Sequence, residues 1–370
     1  MNNLHIFNCS NELALASNMR EYIPPKNILS MEHDLALLPM WWANEYDVVM
    51  TNDEELLINA NELIKSCGKT LFFTTPMENY NELCKRIGRE YKPSPWGWSR
   101  AIAEKFRRFG VPENLIPTDA TLNKIRELSS KRYATIYIKE FLDKAKRDGI
   151  GCHFVGEQMR FETTLEIPEL HERTIFKSPW SSSGRGVFAG DSLFLPSIRE
   201  KLIGFIKRQG GFVADRYYEK SLDFALEFKI GENREVSFCG YSVFIAADNG
   251  YYGSNIVASQ ETLHNTIIAT GIDDDILQWV IDEHKTLLKK HIADDYTGFI
   301  GIDLLITNED GRIKIHPCVE INMRMNLGIA AIEIYKQKGE CNTLLTPNRE
   351  KGFIASIDNH RLVIEMKNSI

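Results

Sequence analysis

A chain of 370 residues, 43% hydrophobic and 26% charged, is long enough for more than one core and too balanced in composition to stay disordered. Its formal net charge of −7 argues against a surface built to neutralise a phosphate backbone. Its seven cysteines lack CxxC spacing, so they imply neither a zinc site nor a disulfide framework and read as reduced thiols of a cytoplasmic protein.

The opening MNNLHIFNCSNE lacks the basic and apolar regions of a signal peptide, and no apolar run approaches the roughly 18 residues of a membrane helix. From residue 1 to about 95, strand-like runs (Leu4–Asn8, Tyr46–Thr51, Lys69–Thr74) alternate with helical patterns such as Glu54–Cys67, which predicts βαβ units and a small parallel sheet. Pro93–Trp98 reads as a bend. Helices follow over 98–110 and 121–147, the second capped by Thr118 or Asp119. From about 173 the pattern changes to long, mostly antiparallel strands at Arg173–Ser178, Gly211–Tyr218, Leu222–Ile230, Glu235–Ala246, Gly298–Thr307 and Arg312–Ile321. Turns are marked by Gly231–Asn233 and Asn308–Gly311, and amphipathic helices by Pro196–Gln209 and Asp273–His291. The expected division is an α/β domain over 1–115, a second domain over 116–345 with a hinge near 211–224, and a C-terminal extension over 346–370 packing on it.

Two segments carry chemistry. In the first, Lys177 leaves a strand and is followed by Ser178-Pro179-Trp180-Ser181-Ser182-Ser183-Gly184-Arg185-Gly186. Serine hydroxyls and the backbone N–H groups freed by Gly184 and Gly186 can approach phosphate oxygens, while Lys177 and Arg185 add positive charge. No GxxxxGK[ST] is present, and a flexible hairpin with a surface lysine is the competing reading. In the second segment Asp303 is followed by Glu320-Ile321-Asn322-Met323-Arg324. The two-residue period of a strand puts Glu320 and Asn322 on one side, within reach of Asp303 on a paired strand. Three hard oxygen donors there suit Mg²⁺ on nucleotide phosphates, and Arg324 on the same side can hold a transferring phosphoryl group. The alternative is an exposed sheet face with solvated charges.

In this order the lysine with its Gly/Ser-rich loop, the polar strand at 213–223, the Asp strand and the E-x-N-x-R strand resemble the ATP-grasp superfamily, over roughly residues 118–330. Phe7–Ala16 resembles the opening of a bacterial group of ATP-grasp-like proteins. The resemblance implies a small parallel α/β lobe followed by an ATP-grasp fold of two α+β subdomains, a fold class of α/β and α+β. It implies ATP and Mg²⁺, with Lys177 on the α/β-phosphates and Ser181, Ser182, Ser183, Gly184 and Gly186 closing over the nucleotide. Asp303, Glu320 and Asn322 would hold the metal, and Lys177, Arg185 and Arg324 would stabilise the transferring group. In the hinge, Asp215 would stand at the adenine end, Tyr217 beside it and Asp223 at the ribose end. A basic residue at a helix start would be Lys131 or Arg132, unless both lie on a solvated face.

For the substrate side the candidates are Asn11, Glu12, Trp96 and Asn255, with Trp98 and the Tyr251–Asn255 run. Capping, for Ser10 or Asn11, or core packing, for the aromatics, would account for them equally well. His316 reads as a packed histidine. The implied reaction is ATP-dependent joining of a carboxylate to an amine or thiol through an acyl phosphate, releasing ADP and phosphate. A kinase of the same fold acting on a hydroxyl, or a nucleotide-binding protein without turnover, are the alternatives. The partners expected are a small-molecule or peptide carboxylate and an amine acceptor, with no nucleic acid and no membrane. Oligomeric state stays open, a homodimer included.

Overall fold

The structure is a computed structural model that describes residues 1–51, 69–163, 173–181, 186–190, 196–245, 254–338, 343–345, 353–358 and 361–365. The predicted helix at Glu54–Cys67 lies outside the described residues.

Strands β1 (Asn2–Ile6), β2 (Val48–Met50), β3 (Phe72–Thr74) and β4 (Tyr91–Pro95) form an all-parallel sheet in the order β3-β2-β1-β4. The segment read as a bend from Pro93 is therefore partly strand. β4 lies at the sheet edge, where a proline's missing N–H is tolerated. Helices α1 (Asn11–Ser17), α2 (Lys26–Asp34), α3 (Tyr80–Ile87) and α4 (Arg100–Phe109) accompany this sheet. Asn79 and Glu82 form a capping box on α3 and Ser99 caps α4. Leu4, Ile6, Val48, Leu83, Tyr91 and Phe106 form its core.

The helix expected over 121–147 is two: α5 (Asp119–Leu128), capped by Thr118, and α6 (Lys131–Arg147). The break has a local cause and a tertiary one. Ser129 Oγ donates to the Ile125 carbonyl at 2.6 Å, Ser130 Oγ caps α6 by accepting from Arg132 N at 3.2 Å, and Lys131 N donates to the Pro179 carbonyl at 2.9 Å.

Strands β5 (Met159–Phe161), β6 (Thr174–Lys177), β7 (Val187–Gly190) and β8 (Phe212–Arg216) form an antiparallel sheet in the order β5-β8-β6-β7, packed on α7 (Pro196–Gln209) through Phe176, Leu202 and Phe212. A second antiparallel sheet contains β9 (Lys220–Ile230), β10 (Val236–Ile245), β11 (Ser254–Val257), β12 (Gly298–Glu309), β13 (Arg312–Asn322) and β14 (Thr343–Leu345), in the order β13-β12-β9-β10-β11-β14. In its central strands, Phe224, Leu226, Phe228, Ile300, Ile302 and Leu304 enter a core shared with α6, α8 (Gln260–Ile268) and α9 (Asp274–His291). Residues in between, Ala225, Glu227 and Asp303, face a cleft roofed by α10 (Leu327–Lys338) and the parallel lobe. The hairpin β15 (Phe353–Asp358) and β16 (Arg361–Glu365) places β16 beside β14. Phe7, Leu35, Leu38 and Trp96 pack on Met325, Ile329, Ala330 and Ile334, so a third core joins the parallel lobe to α10. The molecule is thus mixed α/β and α+β, with a four-stranded parallel sheet, antiparallel sheets of four and six strands, and the two-stranded β15–β16 hairpin among the described residues. No helix among the described residues is long and apolar enough to cross a membrane.

Candidate active site

Asp303 pairs with Glu320 across β12 and β13, and Gly301 with Asn322, so the three oxygen-bearing side chains line one cleft of about 220 Å³. Burial, reinforced by Glu320 and Glu227, raises the Asp303 carboxyl well above the usual carboxylate range. Two carboxylates and a carboxamide make this cluster. No group of three His, Cys, Asp or Glu side chains is placed to hold a metal among the described residues. Arg324, in the turn between β13 and α10, donates through Nε to Glu12, through Nη2 to Asn322 Oδ1 at 2.9 Å and through Nη1 to the Met325 carbonyl at 3.0 Å. Glu12 comes from α1, so this ion pair crosses between the lobes.

Two lysines stand beside the triad. Lys131, at the start of α6 and only 4% exposed, donates to Glu320 Oε1 at 2.7 Å, to the Ser181 carbonyl at 2.8 Å and to Ser181 Oγ at 3.2 Å. Arg132, the other basic candidate, turns to Glu162 and the Gly210 carbonyl. Lys177, at the end of β6, donates to Asp215 Oδ2 at 3.0 Å and to the Val319 carbonyl at 3.3 Å. His316 Nε2, at 3.1 Å, and Gln158 Nε2, at 3.2 Å, reach the same Asp215 oxygen. Burial alone would raise the Asp215 carboxyl, but Lys177 and His316 outweigh it and hold it below the usual range. His316 is fully buried with its ring edge against Tyr218, a packed histidine.

Asp215 is therefore engaged by Lys177 and His316 inside β8. Tyr217 lies under the Arg173 guanidinium, 4.0 Å from its ring centroid, and Asp223 pairs with Lys220. Neither Tyr217 nor Asp223 is hydrogen-bonded into the lysine–triad network among the described residues. Ser182, Ser183, Gly184 and Arg185 lie outside the described residues. The base of their loop is closed where Ser178 N donates to the Gly186 carbonyl at 2.8 Å. Gly186, at φ +71°, leaves room for Ser178, whose Oγ would lie 2.3 Å from a Cβ there.

Of the residues expected on the substrate side, Glu12, Trp96 and Asn255 line the cleft. Asn11, expected there too, is 2% exposed and lines a small pocket adjoining the cleft, with Lys131, Ser181, Glu320 and Arg324. With its carboxamide nitrogen turned to the carbonyls it donates to Gly97 and Trp98, fastening α1 to the turn after β4. Trp98 packs on Phe106, 5.8 Å between ring centroids, rather than lining the cleft. Of the Tyr251–Asn255 run, 251–253 lie outside the described residues.

Sequence reasoning missed Glu227, Ser242 and Asn326, which also line the cleft. A signal existed: Glu227 is the single charge in the apolar run Phe224–Phe228, on the face of β9 that carries Ala225. Ser242 Oγ donates to Glu227 Oε1 at 3.0 Å and Asn326 Nδ2 to Oε2 at 2.7 Å.

No family model matches the sequence, and no curated protein matches it. Among solved structures, Rhizobium etli pyruvate carboxylase T882A with the allosteric activator acetyl coenzyme-A is similar at a TM-score of 0.50 and 10% identity, over 90% of this chain and 27% of that one. This chain thus spans about a quarter of that carboxylase. N5-carboxyaminoimidazole synthetase from Staphylococcus aureus is similar at 0.46 and 12% identity, covering 88% of this chain and 71% of that one. L-amino acid ligase from Bacillus licheniformis is similar at 0.46 and 12%, covering 92% and 71%. With two antiparallel sheets, the lysine strand in one and the Asp303–Glu320 hairpin in the other, the chain has the ATP-grasp fold.

Proposed function

We propose that the protein is an ATP-dependent ligase that joins a carboxylate to an amine, or to a thiol, and releases ADP and phosphate. The observation that carries this reading is that Asp303, Glu320, Asn322 and Arg324 line one cleft, with Lys131 bonded to Glu320 and Lys177 bonded to the Val319 carbonyl beside it. Each lysine is neutralised by a carboxylate, Glu320 or Asp215, which keeps a buried charge paired until phosphates displace it. Asp303, Glu320 and Asn322 fit Mg²⁺: their donors are hard oxygens, and Asp303 and Glu320 repel each other across paired strands with a cation as the natural remedy. Held there, the metal would neutralise phosphate charge.

The chain's own residues then orient and stabilise. Lys131 and Lys177 anchor phosphate oxygens, and Arg324, fixed by Glu12 and Asn322, supports the transferring phosphoryl group. A substrate carboxylate oxygen attacks the γ-phosphorus as ADP leaves, and an amine nitrogen then attacks the acyl carbon as phosphate leaves. No protein nucleophile is needed. The acceptors are a small-molecule or peptide carboxylate and an amine, taken from the side lined by Glu12, Trp96 and Asn255.

The test is ADP and phosphate release with pools of ¹⁸O-labelled carboxylates, each with and without amines or thiols. Release that needs both pools, with one ¹⁸O carried into the phosphate, is the expected result. ADP without free phosphate, with a phosphorylated hydroxyl as product, would replace the ligase by a kinase.

A further inference from the structure

The reaction above gives no task to Glu227, which is the most elaborately held carboxylate of the cleft. It sits on β9 at 1% exposure, with Ser242 on one oxygen and Asn326 on the other. Asn326 is itself fixed, its Oδ1 accepting from Ile329 N at 2.9 Å in the first turn of α10. Two glycines on different elements keep the space open. A Cβ at Gly301 would lie 2.7 Å from Glu227 Oε2, and one at Gly328 would lie 2.2 Å from Oε1.

Ser242 and Asn326 satisfy the carboxylate without neutralising it. Among the described residues no Lys, Arg or His forms an ion pair with Glu227, and the nearby Arg324 directs its donors to Glu12, Asn322 and Met325. A buried carboxylate without countercharge is costly, and a ligand cation offsets that cost. Phe7, Trp96, Phe244 and Leu327 line the same cleft. Such walls favour an organic cation with apolar atoms over a hydrated metal ion. Glu227 is paired with Gly301 and Ala225 with Asp303, so the two carboxylate positions are two residues apart along the strands, about 7 Å. A small molecule seated on Glu227 therefore reaches the triad.

We propose that Glu227 is the seat of a substrate ammonium group: the cleft takes a small primary-amine compound whose cationic end docks on Glu227 and whose apolar part lies against Phe7 and Trp96. This deepens the ligase reading and rests on it for the role of the bound amine.

The test is calorimetric titration of the full chain, with and without saturating Mg-AMPPNP. The probes are n-butylamine against n-butanol, and leucinamide against its des-amino analogue 4-methylpentanamide. The expected result is that wild type binds each amine at least about tenfold more tightly than its neutral counterpart, and that Glu227→Gln loses this preference while Glu227→Asp keeps part of it. Reading the ratio at saturating nucleotide removes any change in nucleotide affinity. Equal affinity for amine and neutral probe in wild type overturns the proposal, as does an undiminished preference in Glu227→Gln. Should Glu227→Gln not fold, the wild-type ratio decides. Failure of Mg-AMPPNP to bind contradicts the ATP reading separately, because the amine preference is also measured without nucleotide.

Discussion

Asp215 has Lys177 at 3.0 Å and His316 at 3.1 Å, and these partners outweigh its burial, whereas among the described residues Glu227 is hydrogen-bonded only by the neutral donors Ser242 and Asn326 and feels the Arg324 charge without a direct contact. Burial therefore prevails at Glu227 and pushes its carboxyl from 4.5 up to about 7. The folded protein then holds this proton more tightly than the unfolded chain does. The stability it contributes is fully present below pH 4.5 and is lost as pH rises through 7. Between pH 5 and 8 the wild type should lose about 2 to 3 kcal/mol more stability than Glu227→Gln, measured by urea unfolding at both pH values. Parallel stability curves for the two proteins would mean that Glu227 titrates as it would in water.

At the scale of elements, the decisive feature is the break between α5 and α6, because it starts α6 at Lys131 and sends that side chain to Glu320. Ser130→Ala removes the cap, and we expect a loss of about 1 kcal/mol together with several-fold weaker Mg-nucleotide binding as Lys131 loosens. Thermal unfolding and calorimetric binding check both halves, and an Ala variant unchanged in both would show that the cap does not position Lys131. The break was not legible in sequence, since serine is only mildly unfavourable within a helix and the bond from Lys131 N to Pro179 comes from another part of the chain. The strands carrying the triad were legible, because the alternation of Glu320, Ile321 and Asn322 fixes which side chains share a face, whereas the bulge between Asp303 and Leu305 was not. β4 was hidden by its prolines, which read as a turn and are admitted only because the strand is an edge.

The whole molecule closes the cleft from two sides. Met325 N donates to the Trp96 carbonyl at 2.8 Å, Arg324 reaches Glu12, and the core of Phe7, Leu35 and Trp96 on Ile329 and Ile334 locks the parallel lobe onto α10. Spacing along the chain could place Glu320 and Asn322 on one face, but the contact of Lys131, and not Arg132, with Glu320 and the place of Glu227 depend on contacts 189 and 99 residues apart in sequence. Lobe closure also explains why Trp98, two residues from the cleft residue Trp96, packs away from it, while Asn11, next to Glu12, lines a small adjoining pocket with Lys131, Glu320 and Arg324. The central claim is that this cleft holds Mg-ATP between the lysines and the triad. Its most direct test is calorimetric binding of AMPPNP, with and without Mg²⁺, to wild type, Lys177→Met and Glu320→Gln, with circular dichroism confirming the fold of each. The account predicts one Mg²⁺-dependent site in the wild type, weakened at least about tenfold by either substitution. Wild type that binds no nucleotide with Mg²⁺, or binding that neither substitution disturbs, would contradict it.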